Sequence, residues 1–179
     1  NMKKVPDITF KVREGDTNTI GKTCSIGGKF ITKTSDDYFK GKKVVLFALP
    51  GAYTPTCSSQ QLPEYEKLHL ELTDYVDEVY CLSVNDSFVM NAWFKDLGIR
   101  FVKPIADGEG LFSWAMDMLI WKPKEGLGSR SWRYSAYIDD GVIKKMFIED
   151  GINDEGEDND PFKVSDANNM LEYLKNEKK

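Results

Sequence analysis

The apolar residues of this chain fall into runs of two alternating kinds. Val44-Val45-Leu46-Phe47-Ala48-Leu49 is unbroken and stops at Pro50-Gly51, which predicts a strand covered on both faces. The run VYCLSV over residues 79–84 predicts a second such strand. Between them, over residues 56–76, Leu62, Tyr65, Leu68, Leu72 and Tyr75 recur at helical spacing. Pro63 falls inside that helix and is expected to kink it, because it has no N–H and its ring crowds the preceding turn. Residues 9–12 alternate like a half-exposed strand and lead into a polar, glycine-bearing stretch over 15–28. Residues 87–97 predict a helix capped by Asp86 or Ser87 and stopped at Gly98. A short strand over 101–105 and a helical stretch over 109–118 follow. Two further strands, 134–138 and 142–148, flank Asp139-Asp140-Gly141, whose Asp-Gly pair signals a tight hairpin. The last helix, 166–175, carries Ala167, Met170, Leu171 and Leu174 on one stripe.

Read in order, the elements run β-α-β-α-β-α, then a hairpin, then α. The early βαβ unit requires parallel strands and the late hairpin adds antiparallel ones. The expectation is an α/β chain with a central mixed sheet flanked by helices on both faces. A thioredoxin-like fold is the natural member of that class. At 179 residues a single domain, 1–179, is expected.

Charge and composition narrow the function. Lys and Arg number 24 against 29 Asp and Glu, a net charge of −5, so no basic field exists for a phosphate backbone and no nucleic-acid partner is expected. No apolar run approaches the ~18–20 residues that span a bilayer, so no membrane role is expected either. The opening NMKKVPDITF has no apolar core of a secretory signal, and Asn1 reads as one extra residue ahead of a start at Met2. Three cysteines (Cys24, Cys57, Cys81) without a CxxC pair argue against a disulfide framework. With a single His they also offer no zinc site of ordinary spacing, and no metal is expected. A reduced, cytoplasmic protein is the expectation.

Several motifs are decoys. The stretch Gly15 to Thr23 resembles a phosphate-binding loop, but five residues separate its glycines where four are needed. The acidic segment 149–160 places no carboxylates at the positions of a calcium loop and reads as a solvated loop. His69 has no carboxylate or Ser pattern beside it and reads as structural or surface. Trp114, Trp121 and Trp132 read as core or interface packing rather than a stacking platform.

What remains is Pro50-Gly51-Ala52-Tyr53-Thr54-Pro55-Thr56-Cys57, directly after the most apolar strand and directly before a helix. A Cys on a helix's first turn meets unpaired backbone N–H groups and the positive end of the helix dipole, and both favour thiolate over thiol. Pro55 suits a helix start, and Thr54 stands where its hydroxyl can face whatever the sulfur attacks. On position alone, a reactive thiolate and a buried structural thiol fit Cys57 equally well. A phosphatase-like Cys would have Arg where Pro63 stands, and a thioredoxin a second Cys where Gln60 stands. A lone thiolate needs a cation from elsewhere, and Arg130 and Arg133 enter the strand before the Asp-Gly hairpin. Both stay open on position alone.

The segment LPGAYTPTCSS resembles the active-site signature of the peroxiredoxins, in the form carried by their type II (peroxiredoxin five) subfamily. Residues 83–93 resemble that subfamily's next strand and helix, 130–135 its arginine-bearing strand, and 160–167 the tail of bacterial members, some of which carry a fused glutaredoxin domain. The resemblance covers residues 3–176 and implies a thiol peroxidase that reduces hydrogen peroxide and organic hydroperoxides. It implies that Cys57 is the peroxidatic cysteine and becomes a sulfenic acid. Thr54 would hold the peroxide, Pro50 would shield the sulfur, and Arg133 would stabilise thiolate and leaving oxygen. Backbone N–H groups of Cys57 and Tyr53 would complete the oxyanion site. No cofactor is implied; the partners implied are a hydroperoxide, glutathione with glutaredoxin or thioredoxin as reductant, and a second copy in a homodimer. Gln61 stands where relatives often have His. Cys81 matches a second Cys of plant-like members and is a candidate resolving cysteine, whereas Cys24 has no family role. Cys81 sits mid-strand under helices on both faces, so an external thiol is expected to recycle Cys57. The rival reading is a non-enzymatic thioredoxin-like binding or chaperone module, but such a relative should have lost Pro50, Thr54 or Arg133, and all three are present.

Overall fold

A computed structural model describes residues 3–15 and 27–178. The chain begins with β1 (Thr9–Glu14), β2 (Lys29–Thr34), α1 (Ser35–Phe39) and β3 (Lys43–Ala48). A π turn (Cys57–Gln61) then runs into α2 (Leu62–Lys67) and α3 (His69–Leu72). Next come β4 (Glu78–Ser83), α4 (Ser87–Asp96), β5 (Lys103–Ala106) and α5 (Leu111–Ala115). The chain closes with β6 (Leu119–Lys122), β7 (Gly128–Ser131), β8 (Tyr134–Asp139), β9 (Val142–Ile148) and α6 (Ala167–Glu177).

The unbroken apolar run forms the centre of the molecule, as its lack of polar positions requires. β3 is the middle strand of a five-stranded sheet in the order β5-β4-β3-β8-β9. It pairs parallel with β4 and antiparallel with β8, so the sheet is mixed. Alternate residues of β3 feed two separate cores. Val45, Phe47 and Leu49 pack with Leu62, Tyr65, Trp93 and Met170 on one face, while Val44, Leu46 and Ala48 pack with Tyr38, Phe112 and Trp132 on the other. Helices cover both faces, as the element order predicts. The ring of Tyr65 lies flat on Phe47, with centroids 3.9 Å apart, and clamps α2 to the sheet.

The Asp-Gly hairpin forms as its sequence demands. Asp139 pairs with Val142, and Asp140 and Gly141 both take positive φ (48° and 76°), the requirement of a tight type I′ turn. Asp86, not Ser87, caps α4: its carboxylate accepts from Val89 N–H, while the Ser87 hydroxyl accepts from Arg13 N–H. Pro63 does not simply kink one long helix. The chain widens into the π turn, in which Leu62 N–H reaches back to the Cys57 carbonyl, and breaks again at Leu68. The strand expected from Phe101 begins only at Lys103, and the helical stretch of 109–118 is confined to α5. Four elements escape the hydrophobic pattern. β2 is largely solvent-facing and is held by pairing with β1, and α1 starts from a capping box between Thr34 and Asp37. β6 and β7 form a short two-stranded ribbon of their own.

The acidic segment 149–160 departs in part from expectation. Most of it faces solvent, Asp150, Asp154, Glu155 and Glu157 included, but Glu149, Asp158 and Asp160 are captured by backbone donors and basic side chains. Glu149 is buried and accepts from the N–H groups of Lys163, Val164 and Ser165 and from the Ser165 hydroxyl. Asp158 pairs with Lys122 at 3.0 Å, both side chains being almost wholly buried. Among the described residues, no helix is long and apolar enough to cross a membrane, and no group of three or more His, Cys, Asp or Glu could hold a metal ion. Cys24 and most of the phosphate-loop decoy lie outside the described residues.

Glu149→Gln turns one acceptor oxygen into an NH2 that faces N–H donors. Chemical denaturation should show a loss of about 1–3 kcal/mol, because N–H donors at 163–165, buried Ser165 among them, lose their acceptor.

Candidate active site

β3 delivers the chain to Pro50 at the carboxyl edge of its parallel pairing with β4, the usual place for a site in an α/β sheet. The loop that follows is tied at three points. Gly51 O accepts the Thr54 hydroxyl at 2.7 Å, and Ala52 N–H donates to Asn85 Oδ1 at 3.0 Å. That same Asn85 oxygen accepts from the Ser83 hydroxyl at the end of β4. Tyr53 takes a left-handed φ of 64° without being glycine, a conformation that needs support from its surroundings. Its hydroxyl donates to Asp96 of α4 at 2.6 Å. Burial of the phenol and the bond to that carboxylate push its pKa up to about 12.

Helical backbone begins at Pro55, and Ser58 N–H bonds back to the Thr54 carbonyl at 3.0 Å. Thr54 therefore occupies the cap position and Cys57 the first turn, where backbone N–H groups have no carbonyl of the helix to bind. The Cys57 side chain is wholly buried. Ser58 beside it accepts the indole N–H of buried Trp93 at 2.9 Å, which anchors the π turn to α4.

Arg133, the residue before β8, is 1% exposed and reaches the sulfur. Its Nη1 lies 3.4 Å from Cys57 Sγ and also donates to Gln61 Oε1, while Nη2 donates to Asp160. The ring of Phe162 sits 5.7 Å from the guanidinium carbon. Burial works against the guanidinium charge, but the Cys57 sulfur and the Asp160 carboxylate outweigh it and hold the Arg133 pKa above its ordinary value. Arg130 lies differently. Its Nε donates to Leu127 O at 3.0 Å and its Nη1 to Pro50 O at 3.3 Å. A Cβ on Gly51 would stand only 2.6 Å from that Nη1, so this approach depends on glycine.

The structure thus brings together Cys57, Thr54, Pro50, Tyr53 and Arg133 in one segment of space, with Arg133 rather than Arg130 on the sulfur. Two participants escape the sequence reading. Gln61 registers there only as a departure from relatives, yet the π turn stacks it beside Cys57 on the same nitrogen of Arg133. Asp160 lies in a segment read as solvated, and no local pattern links it to an arginine 27 residues earlier. Cys81 is a free, buried thiol facing Phe47 across the sheet in the same core as Cys57. Burial pushes its pKa well above the usual thiol value; Cys57 adds to this and Arg133 opposes it. His69 takes no part in these bonds and stacks on Phe101. Trp132 is core, as expected, but Trp114 and Trp121 are exposed.

The redoxin family model matches residues 2–171. A peroxiredoxin of Rhizobium etli is 48% identical over 97% of this chain and 95% of its own length. The hybrid peroxiredoxin hyPrx5 of Haemophilus influenzae is 46% identical over 96% of this chain and 65% of its own. Among solved structures, the antioxidant protein (1-Cys peroxiredoxin) of Plasmodium falciparum superposes with a TM-score of 0.86 at 32% identity, covering 98% of this chain and 99% of that one. A five-stranded mixed sheet with helices on both faces, a cysteine on the first turn after its central strand and relatives of this closeness lead to one conclusion: the chain belongs to the peroxiredoxins, in their type II (peroxiredoxin five) group, and is a thiol-dependent peroxidase of thioredoxin-like fold.

Proposed function

We propose that Cys57 is the peroxidatic nucleophile and that Arg133 is the cation that activates it. The observation carrying this reading is the 3.4 Å approach of Arg133 Nη1 to a fully buried Cys57 Sγ. The thiolate attacks one oxygen of the peroxide bond, the O–O bond breaks, and the departing alkoxide or hydroxide takes a proton to leave as alcohol or water. The sulfur is oxidised to sulfenic acid and the peroxide is reduced. Charge moves from sulfur to the leaving oxygen during that step. A guanidinium fixed beside the sulfur stabilises both ends of the transfer without reorganising. Thr54, whose hydroxyl proton is given to Gly51 O, keeps its oxygen lone pairs for the peroxide O–H. Pro50 and the N–H groups of Cys57 and Tyr53 complete the cage. Neither metal nor cofactor enters this step.

An external thiol then restores Cys57: it attacks the sulfenic sulfur, water leaves, a mixed disulfide forms, and a second thiol releases Cys57. Glutathione with glutaredoxin suits this course better than thioredoxin. Cys81 is disfavoured as resolver because burial holds it as a thiol, and its strand lies between two strands of the sheet. Leu111 and Trp114 of α5 and Trp121 of β6 expose apolar surface, and a homodimer would use it. The compartment proposed is the cytoplasm. A non-enzymatic binding module is not favoured, since it gives no reason for a buried guanidinium on a buried sulfur.

Cys57→Ser should abolish peroxide consumption in the presence of excess dithiothreitol, whereas Cys24→Ser should stay within a few-fold of the unmodified protein. Retained turnover by Cys57→Ser would contradict the assignment. Arg133→Ala should slow alkylation of Cys57 by iodoacetamide at neutral pH about ten-fold, and Arg130→Ala much less, because only Arg133 touches the sulfur. The reverse order would reassign the cation. After one equivalent of peroxide without added thiol, mass spectrometry should find Cys57 as a sulfenic acid that glutathione converts to an adduct. A dominant Cys57–Cys81 crosslink would instead make Cys81 the resolver.

A further inference from the structure

The two terminal nitrogens of Arg133 are taken by Cys57, Gln61 and Asp160, a carboxylate among them, while its buried Nε has no hydrogen-bond partner. Arg130 has no carboxylate partner of this kind. Its partners are two backbone carbonyls, Leu127 O and Pro50 O, and among the described residues it forms no ion pair with a carboxylate. A half-buried guanidinium bound only to neutral oxygens keeps an uncompensated positive charge and an unengaged Nη2. That is an unusual position in a chain of net charge −5.

The placement is built rather than incidental. Gly51, inside the active-site loop, lacks the Cβ that would stand 2.6 Å from Nη1, and the Pro50 carbonyl draws the guanidinium over that loop. The β6–β7 pairing fixes its stem, with Arg130 opposite Ile120. Burial lowers the pKa of Arg130, and the one charged group that counters it is the Cys57 sulfur. Its bond to Pro50 O holds the cation over the loop that leads to Cys57, while it keeps partial contact with solvent.

We propose that Arg130 is a specificity-determining residue, which binds a carboxylate carried by a reactant on its way to Cys57. This rests on Cys57 being the peroxidatic cysteine. The carboxylate has two sources: the thiol that reduces the sulfenic acid, or the hydroperoxide that forms it. In either case a planar fork with an unengaged nitrogen presents N–H donors to the anion and raises its local concentration at the mouth. The preference is electrostatic, so it weakens as the Debye length shrinks from ~10 Å at 0.1 M salt to ~3 Å at 1 M.

The test compares matched pairs of reactants in the unmodified protein, Arg130→Gln and Arg130→Lys. For the reductant, the pair is 3-mercaptopropionate against 2-mercaptoethanol; for the oxidant, linoleic acid hydroperoxide against its methyl ester. The quantity read is the ratio of kcat/KM for the charged and the neutral member, in which any general loss of activity cancels. Arg130→Gln should lower this ratio about five-fold in at least one pair, Arg130→Lys should retain most of it, and 1 M salt should remove it. An effect in the thiol pair alone places the carboxylate on the reductant, and in the hydroperoxide pair alone on the oxidant. Ratios unchanged by Arg130→Gln in both pairs, with turnover intact, overturn the proposal. Absence of turnover by the unmodified protein with every pair overturns the Cys57 assignment itself, and this inference with it.

Discussion

One buried guanidinium holds the reactive end of this protein together. A charge of that kind is costly to take out of water and persists only where its donors meet charged or polar partners. Arg133 meets three, and they come from distant parts of the chain: Cys57 and Gln61 on the π turn, and Asp160 from the segment before α6. The sulfur and the carboxylate both lie against it. Removing either would leave the buried cation short of a partner, so the contacts proposed to govern reactivity also hold the segment together.

The rest of the fold can be understood as support for that triangle. β3 is buried on both faces and sets the position of Pro50, and the Tyr65–Phe47 stack fixes where α2 continues the π turn. Pro63, which cannot donate to the carbonyl four residues back, lies just beyond the π turn, whose wider winding sets Gln61 beside Cys57. Asn85, just after β4, and Asp96, at the end of α4, hold Ala52 and Tyr53 so that the loop keeps its left-handed bend. Glu149 gathers the N–H groups of 163–165 and so positions the segment from which Asp160 reaches Arg133.

The sequence made the sheet, its mixed character and the position of Cys57 legible, because each rests on strong local signals. An unbroken apolar run, an Asp-Gly turn and a Pro at a helix start act over a few residues and compete with little else. Strand alternation, by contrast, does not explain why Arg133 rather than Arg130 lies against Cys57: Arg133 stands just before β8, and Arg130 belongs to β7, a separate strand. What escaped depends on contacts between distant segments. β2 is stabilised by its partner rather than by its own pattern, Asp160 meets Arg133 only after a loop folds back, and Gln61 joins the site because of the π turn. The acidic segment is solvated over most of its length, as its composition implies, but Glu149 and Asp158 are not, because the donors at residues 163–165 and at Lys122 reach them from distant parts of the chain.

The central claim is that geometry, and not charge alone, makes Arg133 effective: a planar fork serves sulfur, amide and carboxylate at once. The most direct measurement is the single-turnover rate constant of the reduced protein with hydrogen peroxide, by stopped-flow fluorescence, for the unmodified chain and for Arg133→Lys. Lysine keeps the positive charge but concentrates it at one point that cannot span Cys57, Gln61 and Asp160 together. The account predicts a rate constant at least about ten-fold lower for Arg133→Lys. Equal rate constants would show that a nearby charge suffices, and would contradict it.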